Sequence, residues 1–423
     1  MSQRSLQSKR HIAVVGAGII GVCTAAYLLR EGYAVALIDR DEPGRGASFG
    51  NAGSLSPSAC LPVAMPGVWK RVTWLTDPLG PLRVRPRYAL QIAPWLMAFL
   101  RASRPTEVRR IATAMRNLLE PIFDAYAPLL RNANAQALVR RSGCLYVFAS
   151  EAAFEGARWG MSLRRELGVT LEEVGPARIR ALAPGLSDQF SRGWFAPENG
   201  STSDPHALTV ALADAFVRDG GTLLRGEVTA LERRGDRVVM HTGTTRGREH
   251  DDIVIAAGAW SARIAASIGE RYPLETQRGY HVTIPDSNVT LEHTVMSSAH
   301  GIMVNPMAMG LRLAGTVELA GLEPPPDWAR ADALLAVGKK MFPRLTSENV
   351  SRWMGHRPCL PDSLPVIGRA PSVANLWYAF GHQHVGMCSG ASTGRELAAL
   401  IAGRAPAIDL APFSPARFER ARG

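Results

Sequence analysis

Gly16, Gly18 and Gly21 stand in G-x-G-x-x-G register between the apolar run His11-Ile-Ala-Val-Val15 and a second apolar run closed by Asp39. Residues of these types at this spacing can hold a pyrophosphate without a lysine. Gly16 permits the tight turn out of the strand, Gly18 lets backbone approach the phosphates, and Gly21 lets the next helix pack against the strand. The phosphates would face unpaired N–H groups at the positive end of that helix. Asp39 can accept from both ribose hydroxyls of an adenosine and would repel a 2′-phosphate. The combination predicts an ADP-containing cofactor. Ile12 to Leu29 is also free of charge and follows Lys9 and Arg10, as a leader or membrane span would. Neither has a use for three glycines at phosphate-loop spacing or for an acid at the end of a strand.

Positioning these groups takes a βαβ unit: a buried parallel strand at 11–15, a helix from Ile19 to Glu31 stopped by Gly32, and a strand from Ala34 to Ile38. The loop from Asp41 to Gly53 is rich in small residues, so its backbone is free to follow a ligand. Helices are expected at Pro86 to Arg101 and Ser103 to Asn132, then a strand at Gly143 to Phe148. Asp204-Pro205-His206 reads as a helix start ahead of Ala207 to Arg218. Strands follow at 222–224, 227–231 and 237–241, and Asp252 to Trp260 reads as a second buried strand with a glycine turn. Between Thr276 and Ala320 short alternating segments (279–284, 301–305, 311–317) predict antiparallel sheet. Strand 376–380, a glycine turn and a helix return to the first pattern. The fold class expected is α/β: a Rossmann-like cofactor domain made from 9–58, 198–270 and 352–415, with an inserted α+β substrate domain, 59–197 and 271–351, that carries an antiparallel sheet and a helical insertion.

The 423 residues are 46% hydrophobic and 20% charged, as in a globular protein of about two domains. The net charge of +11 suggests nucleic acid, yet the basic residues are nearly all arginine and are spread along the chain, which argues against that partner. One stretch differs. From Trp69 to Arg110, basic residues interleave with Trp69, Trp74, Tyr88, Trp95 and Phe99, a mixture suited to an anionic bilayer surface or to a helical cap. Five scattered cysteines without C-x-x-C spacing indicate neither a disulfide framework nor a zinc site, and a reducing, cytoplasmic compartment is expected. No metal is expected.

Four segments resemble the FAD-dependent D-amino acid oxidase and glycine oxidase superfamily, most closely its bacterial D-amino acid dehydrogenases, including those acting on D-hydroxyproline. They are Gly16 to Asp39; Ser48-Phe-Gly-Asn-Ala-Gly53; Ile253 to Trp260; and His356-Arg-Pro-Cys-Leu-Pro-Asp-Ser-Leu-Pro-Val-Ile-Gly368 with Gly381-His-Gln-His-Val-Gly386. The resemblance implies FAD, held by Gly16, Gly18, Ile19, Ile20, Gly21, Asp39 and Arg40, then by Ser48, Asn51, Ala52 and Gly53 along the pyrophosphate and flavin. Val228 would meet the adenine through its backbone, and Ala257, Gly258 and Trp260 would help line the cofactor. Gly381, Gln383, His384, Val385 and Gly386 would lie near the isoalloxazine ring. Gln383 stands where family members often have glycine, so its side chain could narrow the space over the ring.

The implied reaction is oxidation of a D-amino acid or cyclic secondary amino acid by hydride transfer to flavin N5. Water would hydrolyse the imine to a 2-oxo acid, and a quinone or carrier would take the electrons. Alternatives are an oxygen-using oxidase of glycine or sarcosine type, or a flavin-binding subunit without turnover. Arg357 matches an arginine that meets the substrate carboxylate in related oxidases, a task suited to its planar fork; it could equally tie its loop to backbone carbonyls. Tyr280 is a candidate hydroxyl donor to the same carboxylate. Alternation places Arg278 and Tyr280 on one strand face and His281 on the other, so one set only can look at the flavin. His382 and His384 could bond substrate, tune its amine or hold the loop. Asn305 and Arg312 are weaker candidates, Arg312 being expected on a solvated strand face. Cys388 is the one thiol close to the flavin loop. Partners would be the amino acid, the electron acceptor and, through the Trp69–Arg110 stretch, the inner face of the membrane.

Overall fold

The computed structural model describes residues 9–68, 79–243, 245–248, 250–297 and 300–419. Trp69, Lys70, Arg71 and Trp74 lie outside them.

The apolar run at the start of the described chain forms strand His11–Val15, and residues 12–15 are fully or nearly fully buried because both faces of its sheet are covered. The strands of this sheet run in the order Thr222–Arg225, Ala34–Asp39, His11–Val15, Asp252–Ile255, Leu376–Phe380, Val366–Arg369. The first five are parallel and the last is antiparallel. Helix Ile19–Arg30 packs beside helix Gly386–Ile401. The approach is close enough that a Cβ on Gly394 would stand 2.7 Å from the Cys23 carbonyl carbon. Residues 12–29 are therefore a strand, a turn and a helix rather than one apolar span. No helix among the described residues is long and apolar enough to cross a membrane.

The second large sheet has the order Ser351–Cys359, Glu275–Ile284, Gly310–Leu319, Ile302–Met307, Thr294–Ser297, Cys144–Phe148, Arg192–Ala196, Glu172–Val174, with Leu82–Val84 beside Gly310–Leu319. It is antiparallel as expected except at two places, Thr294–Ser297 with Cys144–Phe148 and Gly310–Leu319 with Leu82–Val84, where strands from the inserted segments join in parallel. Both faces are buried. Tyr280, Val282, Ile284, Leu311, Leu313 and Val304 pack on helix Ala329–Met341 and its neighbours, whereas Tyr146, Cys144 and Phe148 join the core around helix Ile19–Arg30.

The helical insertion departs from expectation in one respect. Ser103 to Asn132 is two helices, Pro105–Leu119 and Ile122–Asn132, because Pro121 has no N–H with which to continue the ladder. Within the arginine- and aromatic-rich stretch, helix Ala89–Ala102 turns Ile92 and Trp95 inward onto Leu319 and Cys359, while Leu90, Met97 and Leu100 are exposed.

Candidate active site

The glycines of the first turn have separate physical duties. Gly16 has φ +108°, and a Cβ there would lie 2.4 Å from the Ala256 carbonyl oxygen. Gly21 packs its helix on the strand so tightly that a Cβ would lie 1.7 Å from the Gly16 carbonyl oxygen. Gly18 is extended and caps helix Ile19–Arg30, whose Ile19 N–H donates to Ser48 Oγ at 3.0 Å. The Asp39 carboxylate accepts from Ala17 N–H (2.6 Å) and Asp41 N–H (2.9 Å), which draws the turn onto the second strand and leaves each oxygen a further lone pair.

From this turn a cavity of about 530 Å³ runs to the sheet that contains Glu275–Ile284. Gly16, Gly18, Ile19, Ile20, Ser48, Ala257, Gly258 and Trp260 line it, with Val228 near Asp39 and Arg40, where Gly226 N–H donates to the Asp39 carbonyl, and with Asn51 and Ala52 next to Gly50, which packs under Trp353. The Arg40 guanidinium stacks 4.4 Å above the Trp260 ring. Gly381, His382, Gln383, His384, Gly386, Tyr280 and Arg357 line the far end. Three expected cofactor contacts lie outside the lining: Gly21, which acts through helix packing; Gly53, whose N–H donates to Asn51 Oδ1; and Val385, buried in the core at the start of helix Gly386–Ile401.

At the far end two glycines make the room. Gly279 and Gly355 face each other across paired strands. A Cβ on Gly279 would stand 2.1 Å from Arg357 Cζ, and one on Gly355 would stand 1.9 Å from the Trp353 ring. The cation and the indole thus lie side by side over a bare patch of sheet. Arg357 donates to the Thr316 carbonyl (2.8 Å) and the Gly315 carbonyl (3.4 Å), and its half-buried remainder lines the cavity. Two of its five N–H donors are used in these bonds, so three are left for a ligand. Mid-strand glycines mark close approach, and this signal in Arg-Gly-Tyr-His and Trp-Met-Gly-His-Arg could have pointed to Trp353 and to the platform.

Tyr280 requires a correction. Its hydroxyl donates to Glu318 (2.6 Å) and accepts from Asp327 N–H (3.0 Å) within the core on the opposite face of the sheet. Burial and the Glu318 contact push its pKa up to about 12, and a phenol so held is not a carboxylate ligand. Arg278 turns the same way, donating to the carbonyls of Gly321, Pro324 and Pro325. His281 is on the other face, that of Trp353 and Arg357, stacked on Trp353 at 5.2 Å but outside the cavity lining. Arg312 is not on a solvated face: it is 4% exposed and donates to the Asn51 carbonyl at 2.7 Å.

In the flavin-type loop, Gln383 adopts φ +48° and turns its amide onto the Ser363 carbonyl, and its backbone N–H donates to Pro358 (2.9 Å). His382 is buried against Thr393 Oγ1 at 3.1 Å, whereas His384 protrudes into the cavity. The Cys388 thiol is buried, lies outside the cavity lining and donates to the Ser54 carbonyl, with its pKa pushed up to about 11 by burial. It is a structural thiol rather than a cofactor anchor.

A family model described as FAD dependent oxidoreductase, DAO, matches residues 11–400. The chain belongs to that family. It is 41% identical over 417 residues, covering 97% of this chain and 99% of the relative, to a D-amino-acid oxidase of Bradyrhizobium diazoefficiens. It is 32% identical over 420 residues (96% and 95%) to a D-amino acid dehydrogenase of Cereibacter sphaeroides. Among solved structures, L-proline dehydrogenase from P. horikoshii superposes with a TM-score of 0.76 at 19% identity, covering 98% of both chains. Glycine oxidase from Geobacillus kaustophilus gives 0.73 at 22% identity, over 97% of this chain and 99% of that one. These two likenesses bear on the fold. The protein is an enzyme, an FAD-dependent oxidoreductase, and the residues present suit FAD: a cradle with no room for a Cβ beside a helix N-terminus, an acid beyond it, and an elongated cavity.

The histidines of this FAD-dependent oxidoreductase give a pH prediction. Burial holds His382 at a pKa of about 3, and burial together with Arg312 holds His281 at about 3, from an ordinary 6.5. Both are neutral in the folded protein at pH 5, whereas the unfolded chain binds a proton on each. Their contribution to stability is fully present above pH 6.5 and is lost progressively as the pH falls toward 3. The slope is at most about 1.4 kcal/mol per pH unit for each group. Thermal melts should move down between pH 7 and pH 5; an unchanged melting temperature would contradict burial of two neutral imidazoles.

Proposed function

We propose that this enzyme oxidises a D-amino acid, including cyclic secondary ones, at the Cα–N bond, yielding an imine that water hydrolyses to the 2-oxo acid and ammonia or, from a cyclic substrate, to a single open-chain amino 2-oxo acid. The reading is carried by Arg357, a cation with free donors at the end of the cofactor cavity, beside a neutral imidazole and an aromatic wall. The names of relatives at 41% and 32% identity support it. FAD, when bound, supplies the two-electron acceptor for the substrate hydride. The chain supplies the rest. Arg357 holds the substrate carboxylate through its fork, so that Cα is placed by the carboxylate and the amine. Desolvation, with the Arg357 cation nearby, lowers the His384 pKa to about 4, so its imidazole is neutral and can accept a hydrogen bond from the amine without adding charge. His382 and Gln383 also line the cavity, but their side chains are bonded to Thr393 Oγ1 and to the Ser363 carbonyl, which suits them to holding the loop.

The electron acceptor in this reading is a quinone or carrier rather than oxygen, in keeping with relatives named dehydrogenase rather than oxidase. A second reading, oxygen as acceptor, is favoured by the 41% relative named an oxidase. Anaerobic titration of the yellow protein with D-proline, D-alanine and their L-forms tests both. Bleaching by a D-form, with slow recovery in air and fast recovery with a soluble quinone, is expected. Rapid recovery in air would select the oxidase reading, and failure of the whole panel to bleach the band would sink the substrate class.

A further inference from the structure

Four successive carbonyls of the cofactor loop are each clamped by a donor from outside the cavity. Gly50 O accepts from His281 Nδ1 (3.0 Å), Asn51 O from Arg312 Nη1 (2.7 Å), Ala52 O from Asn305 Nδ2 (2.8 Å) and Gly53 O from Thr202 N–H (2.7 Å). A carbonyl can only accept, so the proton of His281 is on Nδ1. Gly50, Asn51 and Ala52 line the cavity, whereas His281, Arg312, Asn305 and Thr202 lie behind them, outside its lining. The carbonyls therefore point away from the cavity. This is the flavin end, because a Cβ on Gly50 would meet the Trp353 ring at 2.1 Å and Trp353 adjoins Arg357 over the glycine pair.

The clamp is built from buried side chains: His281 is 3% exposed, Asn305 0% and Arg312 4%. Asn305 is itself oriented by Thr294, whose hydroxyl donates to Oδ1 at 2.8 Å, and Arg312 by Thr283 Oγ1 at 3.3 Å. Burying three such groups is costly unless each is paired, and here the pairing runs to one loop. Carbonyl dipoles facing a two-electron-reduced flavin would oppose its negative charge; turned outward they do not, and the Arg312 cation behind the loop favours it further.

We infer that His281, Asn305 and Arg312 are positioning residues by which the substrate-side sheet sets the orientation of the 50–53 backbone, and thereby the ease with which the bound flavin is reduced. They touch neither substrate nor cofactor. The inference needs FAD in the cavity but is independent of which substrate the enzyme takes, so its test uses none.

The test is flavin midpoint potential and inorganic sulfite affinity of the FAD-loaded protein, read from bleaching of the flavin band. Sulfite should bind at least about tenfold more weakly to Arg312→Met, with a midpoint about 30 mV lower if reduced-flavin stabilisation falls tenfold for a two-electron couple. Asn305→Leu, which keeps the volume, should show a smaller drop in both, and Arg312→Lys, which keeps the charge, should recover most of the loss. If Arg312→Met emerges without flavin, Asn305→Leu decides. Potentials and sulfite affinities within twofold-equivalent of the parent in flavin-loaded Asn305→Leu and Arg312→Met, or in Asn305→Leu alone where Arg312→Met holds no flavin, would overturn the inference. A parent protein that binds no FAD would instead refute the cofactor assignment.

Discussion

Arg357→Met should yield a yellow, folded protein whose kcat/KM for its amino acid falls roughly 10²–10³-fold, or about 3–4 kcal/mol. The guanidinium lines the far end of the cavity with His384, and in the proposed reading a substrate carboxylate paired there bidentately would lose both hydrogen bonds on truncation. Methionine keeps much of the side-chain volume over Gly279 and gives up the bonds to Thr316 and Gly315, which are peripheral to FAD. Arg357→Lys keeps a charge but no fork and should fall between the two. The effect should appear in KM and in the dissociation constant of a simple carboxylate such as benzoate, while an amine without a carboxylate reacts equally with both proteins. Equal losses for amine and amino acid would mean that Arg357 supports the sheet rather than the substrate.

Gly21→Ala and Gly18→Ala should fail in different ways. The added methyl at Gly21 would lie 1.7 Å from the Gly16 carbonyl oxygen, and neither backbone can yield without lifting helix Ile19–Arg30 off its strand. The cost should exceed the 1–3 kcal/mol typical of overpacking, and soluble flavoprotein should be lost. At Gly18 the nearest atom to an added methyl is Ser48 Oγ at 3.4 Å, an ordinary contact, so the apoprotein should fold. The methyl would stand where pyrophosphate must approach, and FAD affinity should drop by two or more orders of magnitude. Circular dichroism melts with flavin content separate the two; a Gly18→Ala protein that purifies fully yellow would refute the close approach.

What could be read in the chain was whatever depends on local chemistry. The turn at Gly16 to Gly21, the strand ending at Asp39 and the strand Leu376–Phe380 carry their own signals, because phosphate loops need missing side chains and parallel strands are apolar throughout. The glycines and the acid therefore specified an ADP-containing cofactor by themselves. Period-two alternation likewise placed Tyr280 and His281 on opposite faces.

Which face meets the cavity was a different kind of question. Both faces of the second sheet are buried, one under helix Ala329–Met341 and the other against the cofactor side, so no contrast of polar and apolar residues marks the inner side. Tertiary packing decided it, turning Tyr280 to Glu318 and His281 to Gly50, and making Arg312 a buried clamp rather than a solvated arginine. It also set Trp353 and Arg357 side by side, since strands some seventy positions apart bring Gly279 opposite Gly355. A dinucleotide cofactor and the turn suited to its phosphates were legible in the residues alone, because that turn is built within one short βαβ unit. What surrounds the far end of the cavity came from tertiary packing, because that end is assembled across paired strands distant in sequence, on a sheet that packs a core against both faces.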